Sequence, residues 1–125
     1  MFVAAQGDPR VVSGAAERAF NELESRLGSL RRRRFFGVFD PASNEYLACV
    51  QTRDGDDPSA LRLGETVIPG GQYLRATLTG QPPAVYAQIA PTFDDLEKNA
   101  HSDLGRPLVE YYRRHDVIDL FVPVV

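Results

Sequence analysis

A chain of 125 residues with 43% hydrophobic and 25% charged side chains suits one compact domain spanning 1–125 and leaves no room for a second. Fourteen basic against seventeen acidic residues give a formal charge of −3, which argues against a main task of gripping a nucleic-acid backbone, so no nucleic-acid partner is expected. Cys49 is the single cysteine, which excludes an intrachain disulfide, and no run matches a signal peptide or a membrane span, so a cytoplasmic protein without membrane association is expected.

In chain order, FVAAQG reads as a short strand closed by a Gly-Asp-Pro turn. Ala16, Phe20, Leu23, Leu27 and Leu30 then recur at spacings of four and three, which predicts a helix with one apolar face. Ser13 is its candidate cap, and Gly28 with the run Arg31 to Arg34 marks its end, where cations complement the helix dipole. Two strand-like runs follow, RFFGVF and EYLACVQ, separated by the turn formers of DPASN. The first half, about 1–52, is therefore strand, helix, strand, strand.

TRDGDDPS reads as a loop and ALRLGETVI as a short extra strand before the Pro69-Gly70-Gly71 turn. The second half, about 60–125, then repeats the order of the first. In GGQYLRATLTG, Leu74, Ala76 and Leu78 alternate with Tyr73, Arg75 and Thr77. A helix is predicted over about 84–99 with Val85, Ile89, Phe93 and Leu96 on its apolar face, kinked or split by Pro91. PLVEYY and VIDLFVPV close the chain as a hairpin. The predicted fold is α+β: an antiparallel sheet with two helices on one face, built as a pseudo-two-fold duplication of one strand-helix-strand-strand module.

Glu110 is a carboxylate between apolar neighbours in the hairpin, and such a group needs a reason. With Arg113 to Asp116 as the turn, Tyr112 falls opposite Val117 and Glu110 opposite Asp119. Alternation then puts Val109, Tyr111, Ile118, Leu120 and Val122 on one face. Leu108, Glu110, Tyr112, Val117, Asp119 and Phe121 take the other, joined by Tyr73, Arg75 and Thr77. Carboxylates mixed with aromatic rings suit the lining of a concave site. A slip of one residue at the turn undoes the pairing.

The ending PLVEYYRRHDVIDLFVPV resembles the Pro-x-(Ile/Val)-Glu-x-Tyr signature and closing acid-x-aromatic-x-Pro strand of GyrI-like small-molecule-binding domains, found in multidrug-sensing regulators and gyrase-inhibitory proteins. VIPGGQYLRATLTG is similar to the strand of that family that leads from Ile-Pro-x-Gly-x-Tyr to a glycine. The resemblance implies two strand-helix-strand-strand modules sharing one sheet and a ligand cleft whose acidic residue corresponds to Glu110. Tyr112 corresponds to the family's tyrosine, and Asp119 and Phe121 to the acid and aromatic of its last strand. The chain departs from the family in lacking tryptophan, in placing Pro91 in the second helix, and in carrying no helix-turn-helix module.

Three function classes follow. The first is a stand-alone domain binding lipophilic aromatic or cationic compounds through Glu110, Tyr112, Tyr73, Phe121, Arg75 and Asp119, with the carboxylate as counter-charge and the rings as stacking and cation-π surface. The second is a hydrolase of strained electrophiles, with Glu110 and Asp119 as catalytic pair, one holding a raised pKa. The third is a protein-binding role such as gyrase inhibition; a homodimer is also compatible with the sequence. Against the site reading, Glu110 has an equally simple role as a strand carboxylate paired with an arginine, and its aromatic neighbours as packing groups. No cofactor is expected, because no phosphate-cradling glycine loop is present, and no metal, because His101 and His115 lack ligand spacing. Cys49 reads as a small core residue of its strand.

Overall fold

The computed structural model describes residues 1–10 and 14–125. The proposed Ser13 cap lies outside the described residues, and the helix starts after Gly14, which takes a left-handed conformation and makes no side-chain cap bond. The elements are β1 (Phe2–Gln6), α1 (Ala15–Arg26), β2 (Phe35–Asp40), β3 (Glu45–Val50), β4 (Tyr73–Thr79), α2 (Ile89–Lys98, led in by a 3-10 turn Ala84–Gln88), β5 (Leu108–Arg114) and β6 (Val117–Pro123). The six strands form one antiparallel sheet in the order β1-β3-β2-β5-β6-β4. That order reads the same from either edge when β4, β6 and β5 are matched to β1, β3 and β2, the arrangement that a two-fold relation between two β-α-β-β modules requires. The α+β fold expected from the sequence is the fold observed.

Both helices pack on one face. Ala19 and Leu23 of α1, Leu27 at its C-cap and Phe93 of α2 belong to one core with Val3, Phe39, Tyr46, Ala48, Val50, Leu108, Ile118, Leu120 and Val122 of the strands. These strand positions are aligned across the ladders, so they lie on one side of the sheet. Leu30, assigned to the apolar stripe of α1, lies beyond the helix end and is 44% exposed. In α2, Pro91 sits in the first turn, where its missing N–H removes no hydrogen bond, and the irregularity falls earlier, at the 3-10 segment. Val85 and Phe93 are buried, and Ile89 and Leu96 pack against the same core.

Turns follow the local chemistry. Asp40 accepts from the Ala42 backbone N–H at 3.0 Å and from the Ser43 hydroxyl at 3.1 Å, and Asn44 takes a positive φ, which completes the β2–β3 turn. Within the basic run, Arg33 makes two parallel bonds of 2.7 and 2.8 Å to Asp56, pinning the loop after β3. The extra strand expected in ALRLGETVI does not form. Residues 57–63 are drawn into turns by backbone bonds from Leu61 to Asp57 and Leu63 to Pro58, leaving an isolated bridge between Phe2 and Gly64. This connection carries the chain from β3, next to one edge, to β4 at the other. It passes the face away from the helices, where Thr66 and Ile68 stand beside Phe36 and Cys49 around a cavity of about 200 Å³.

The β5–β6 register differs from the expected one. The turn contracts to His115 and Asp116, Arg114 pairs with Val117, and Tyr112 pairs with Ile118, so Arg113 is an unpaired bulge residue. Glu110 therefore faces Leu120 and Tyr111 faces Asp119. The alternation within each strand is as expected, but the two strands are offset by one position. Leu108, Glu110 and Tyr112 share the helix side with Ile118, Leu120 and Val122, while Val109 and Tyr111 share the other side with Asp119 and Phe121.

Candidate functional site

β2 and β5 are the central strands, one from each half, and the middle of their pairing is Gly37 opposite Glu110. A bare glycine in FFGVF creates the space that Glu110 uses. A Cβ at position 37 would collide with Glu110 Oε1 and with the Tyr46 hydroxyl. Across the sheet from Gly37 the register continues to Ala48, another small side chain, so the middle of the helix-facing surface has room for a carboxylate and a phenol.

Glu110 is 7% exposed. Its Oε1 accepts hydrogen bonds from the Tyr46 and Tyr112 hydroxyls, each at 2.8 Å, while its Oε2 receives none among the described residues and retains accessible surface. Burial pushes the carboxyl above its ordinary value, and the two tyrosine bonds offset only part of that effect. Burial, and next the Glu110 charge, push both phenols well above theirs, so both remain protonated donors. Phe20 of α1 makes edge contacts with Tyr46 and Tyr112 at centroid distances of 6.3 and 5.2 Å, and Tyr86, 44% exposed, meets Tyr112 at 6.4 Å. An aromatic path thus runs from the surface to the carboxylate.

On the other side, Asp8, Pro9, Arg10, Phe39, Phe93 and Leu108 enclose a cavity of about 10 Å³ with Gly37, Tyr46 and Glu110. That is room for roughly one water molecule. Arg10 binds Asp8 within its own loop and reaches Asp94 at 3.0 Å and Glu97 at 2.9 Å on α2. Burial alone would raise the Asp8 carboxyl, but the hydrogen bonds and charge of Arg10 outweigh it and hold Asp8 below its usual value.

The residues singled out from sequence divide between the two faces. Glu110 and Tyr112 come together on the helix side. Tyr73, Arg75, Asp119 and Phe121 stand on the opposite side and do not wall the Glu110 cavity. The expected Glu110–Asp119 pair does not exist, because the bulge at Arg113 shifts the register by one residue, and with it goes the two-carboxylate machinery of the hydrolase reading. Asp119 is buried with its Oδ1 accepting from Thr77 at 2.6 Å and from Arg113 at 3.1 Å, the arrangement of a structural carboxylate that ties the bulge to the sheet. Tyr73 donates to the Pro69 carbonyl at 2.6 Å and lies 4.8 Å beneath the Arg106 guanidinium, so it anchors the connection into β4. Burial pushes the Cys49 thiol up to about 12, which leaves it an unreactive thiol on the far face. Among the described residues no group of three His, Cys, Asp or Glu side chains is placed to hold a metal ion, and no helix is long and apolar enough to cross a membrane.

Tyr46, Gly37 and Arg10 complete the site and were not singled out by sequence. A lone glycine inside an otherwise bulky strand was the readable signal for Gly37. Tyr46 and Arg10 join Glu110 through long-range packing that no local pattern encodes.

Two expectations follow. Gly37→Ala should lower stability by about 1–3 kcal/mol through overpacking, while Gly28→Ala, where a Cβ meets nothing within 4 Å, should stay within about 0.5 kcal/mol. Urea unfolding measures both. Glu110→Gln should show a pH signature. A carboxyl raised above its ordinary 4.5 in the folded state binds its proton more tightly there than when unfolded. Its contribution to stability is therefore fully present below about 4.5 and is lost as pH rises through the folded pKa. The stability of Glu110→Gln relative to wild type should accordingly be higher at pH 7.5 than at pH 4, and an identical difference at both would contradict the burial argument.

No family model matches the chain, and no curated protein does. Among solved structures, the crystal structure of the integron cassette protein VCH_CASS2, from the mobile metagenome of Vibrio cholerae, has the same fold. The match has a TM-score of 0.71 at 15% identity and covers 100% of this chain and 87% of that one. At that identity the likeness establishes the architecture, and the site rests on the side-chain geometry described above.

Proposed function

We propose that this domain binds small lipophilic cations, with Glu110 as counter-charge and Tyr46, Tyr112, Phe20, Tyr86 and Phe93 as the surrounding aromatic surface. The observation that carries the reading is a carboxylate at the centre of the sheet, lining a small cavity, with one oxygen held by two tyrosines and the other accessible and without a donor among the described residues. A cation placed against Oε2 pairs with the accessible oxygen and gains ring contacts.

The resemblance of PLVEYY to the GyrI-like signature agrees with this reading, since it assigns the ligand-contacting roles to Glu110 and Tyr112. The proposed ligand set no longer includes Tyr73, Arg75, Asp119 or Phe121. With about 10 Å³ free, the cavity is far below the roughly 300 Å³ of an ordinary ligand pocket, so binding requires the covering side chains to move outward. Such opening lowers apparent affinity and widens the range of shapes accepted.

Glu110→Gln keeps the side-chain shape and removes the charge. Titration calorimetry with a hydrophobic monocation such as ethidium should show a loss of about 1–3 kcal/mol for the variant, and a neutral aromatic of similar size should lose much less. Equal ethidium affinity for both proteins would make Glu110 a structural residue.

A further inference from the structure

We infer that Arg10 is a latch that holds the Glu110 cavity shut, and that the cavity opens when the Asp8–Arg10 segment separates from α2. The inference deepens the proposed function and rests on it for the ligand, but the latch itself is a property of the ligand-free protein. The Asp8–Arg10 segment belongs to the first β-α-β-β module and α2 to the second, so the Arg10 ion pairs join the two halves directly above their central strand pair. One guanidinium serves both sides. Its Nε and Nη2 bind Asp8, at 3.1 and 2.8 Å, and its Nη1 binds Asp94 at 3.0 Å and Glu97 at 2.9 Å. Asp94 and Glu97 are three residues apart, which places them together on the side of α2 that meets this segment, next to Phe93, which faces the cavity.

The geometry fits a reversible closure better than a fixed strut. The carboxylates on α2 are half or one-third exposed, at 55% and 34%, so water can take over from Arg10 when the segment lifts. Asp8 stays with Arg10 on the moving side, so the guanidinium leaves α2 already neutralised by a partner of its own. Asp8, Pro9 and Arg10 line the cavity on one side and Phe93 lines it on the other. Parting them uncovers Glu110 without breaking any strand pairing.

The test uses the full chain with Asp94→Asn and Glu97→Gln combined, which removes both pairs to α2 and leaves the Arg10–Asp8 pair intact. Asp95→Asn serves as control, since Asp95 is exposed on the same helix and forms no ion pair among the described residues. Solvent exchange of the Tyr46 and Tyr112 hydroxyl protons, followed by NMR, reads opening at Glu110 directly. Loss of two partly exposed pairs should speed it by about 2- to 30-fold in the double variant and leave the control at the wild-type rate. Ethidium should associate faster with the double variant by a similar factor. Unchanged hydroxyl exchange would overturn the latch whether or not ethidium binds, and faster exchange with unchanged ethidium association would overturn its place on the ligand's path. Faster exchange with no ethidium binding by any of the proteins would sustain the latch and overturn the proposed function instead.

Discussion

The structure is organised around a carboxylate held in the apolar middle of a sheet. Glu110 lies on the helix-facing side of β5, the side that in every neighbouring ladder carries core residues such as Leu120, Tyr46 and Phe39. Taking an ionised carboxylate out of water is among the larger penalties a small domain can carry. Several features reduce it. Gly37 leaves space, Ala48 keeps the next position small, and two phenols donate to one oxygen. Both phenols bond Oε1, and Oε2 retains accessible surface. An accessible carboxylate oxygen beside a small cavity is why the arrangement reads as a site.

The two β-α-β-β modules meet at the β2–β5 pair, and Glu110 is placed at the middle of that junction. Each half supplies part of its environment: Gly37, Tyr46 and Phe20 come from the first, Tyr112, Tyr86 and Phe93 from the second. A site at the junction of two similar modules can open by a small relative movement, because the contacts that close it are made between helices and loops while the strands stay paired. The far face has a different task. There Asp119, Thr77 and Arg113 stabilise the bulge, Phe36 stacks on Tyr111 at 4.7 Å, and the long connection from β3 to β4 passes across.

Much of the fold was legible because its elements announce themselves locally. The apolar stripe of α1, the turn formers Asp40 to Asn44, and the alternation of Leu74, Ala76 and Leu78 with Tyr73, Arg75 and Thr77 each follow from short-range periodicity. Glu110 was legible as an anomaly in an apolar run, and Tyr112 by its two-residue spacing from it. The division of the remaining candidates was not legible, because it turned on whether the β5–β6 hairpin has a four-residue turn or a two-residue turn with a bulge at Arg113. That difference of one residue reverses which β6 side chains share a face with Glu110, and the Arg113–Asp119 bond accompanies the bulged register. The short segment 60–68 has the composition of a strand, yet it pairs with β1 only at the Phe2–Gly64 bridge, its first residues are drawn into turns and the rest form no ladder.

The central claim is that Glu110 is a largely buried carboxylate with one accessible oxygen, proposed to pair with a cation. A ligand that binds the ionised form must lower the pKa of the group it pairs with, by linkage. The direct measurement is an NMR titration of the Glu110 side-chain carboxyl carbon with and without saturating ethidium. The account predicts a midpoint above the ordinary 4.5 in the free protein and a downward shift when the ligand is bound. A midpoint at or below 4.5 in the free protein, or one that ethidium leaves unmoved while binding, would contradict it.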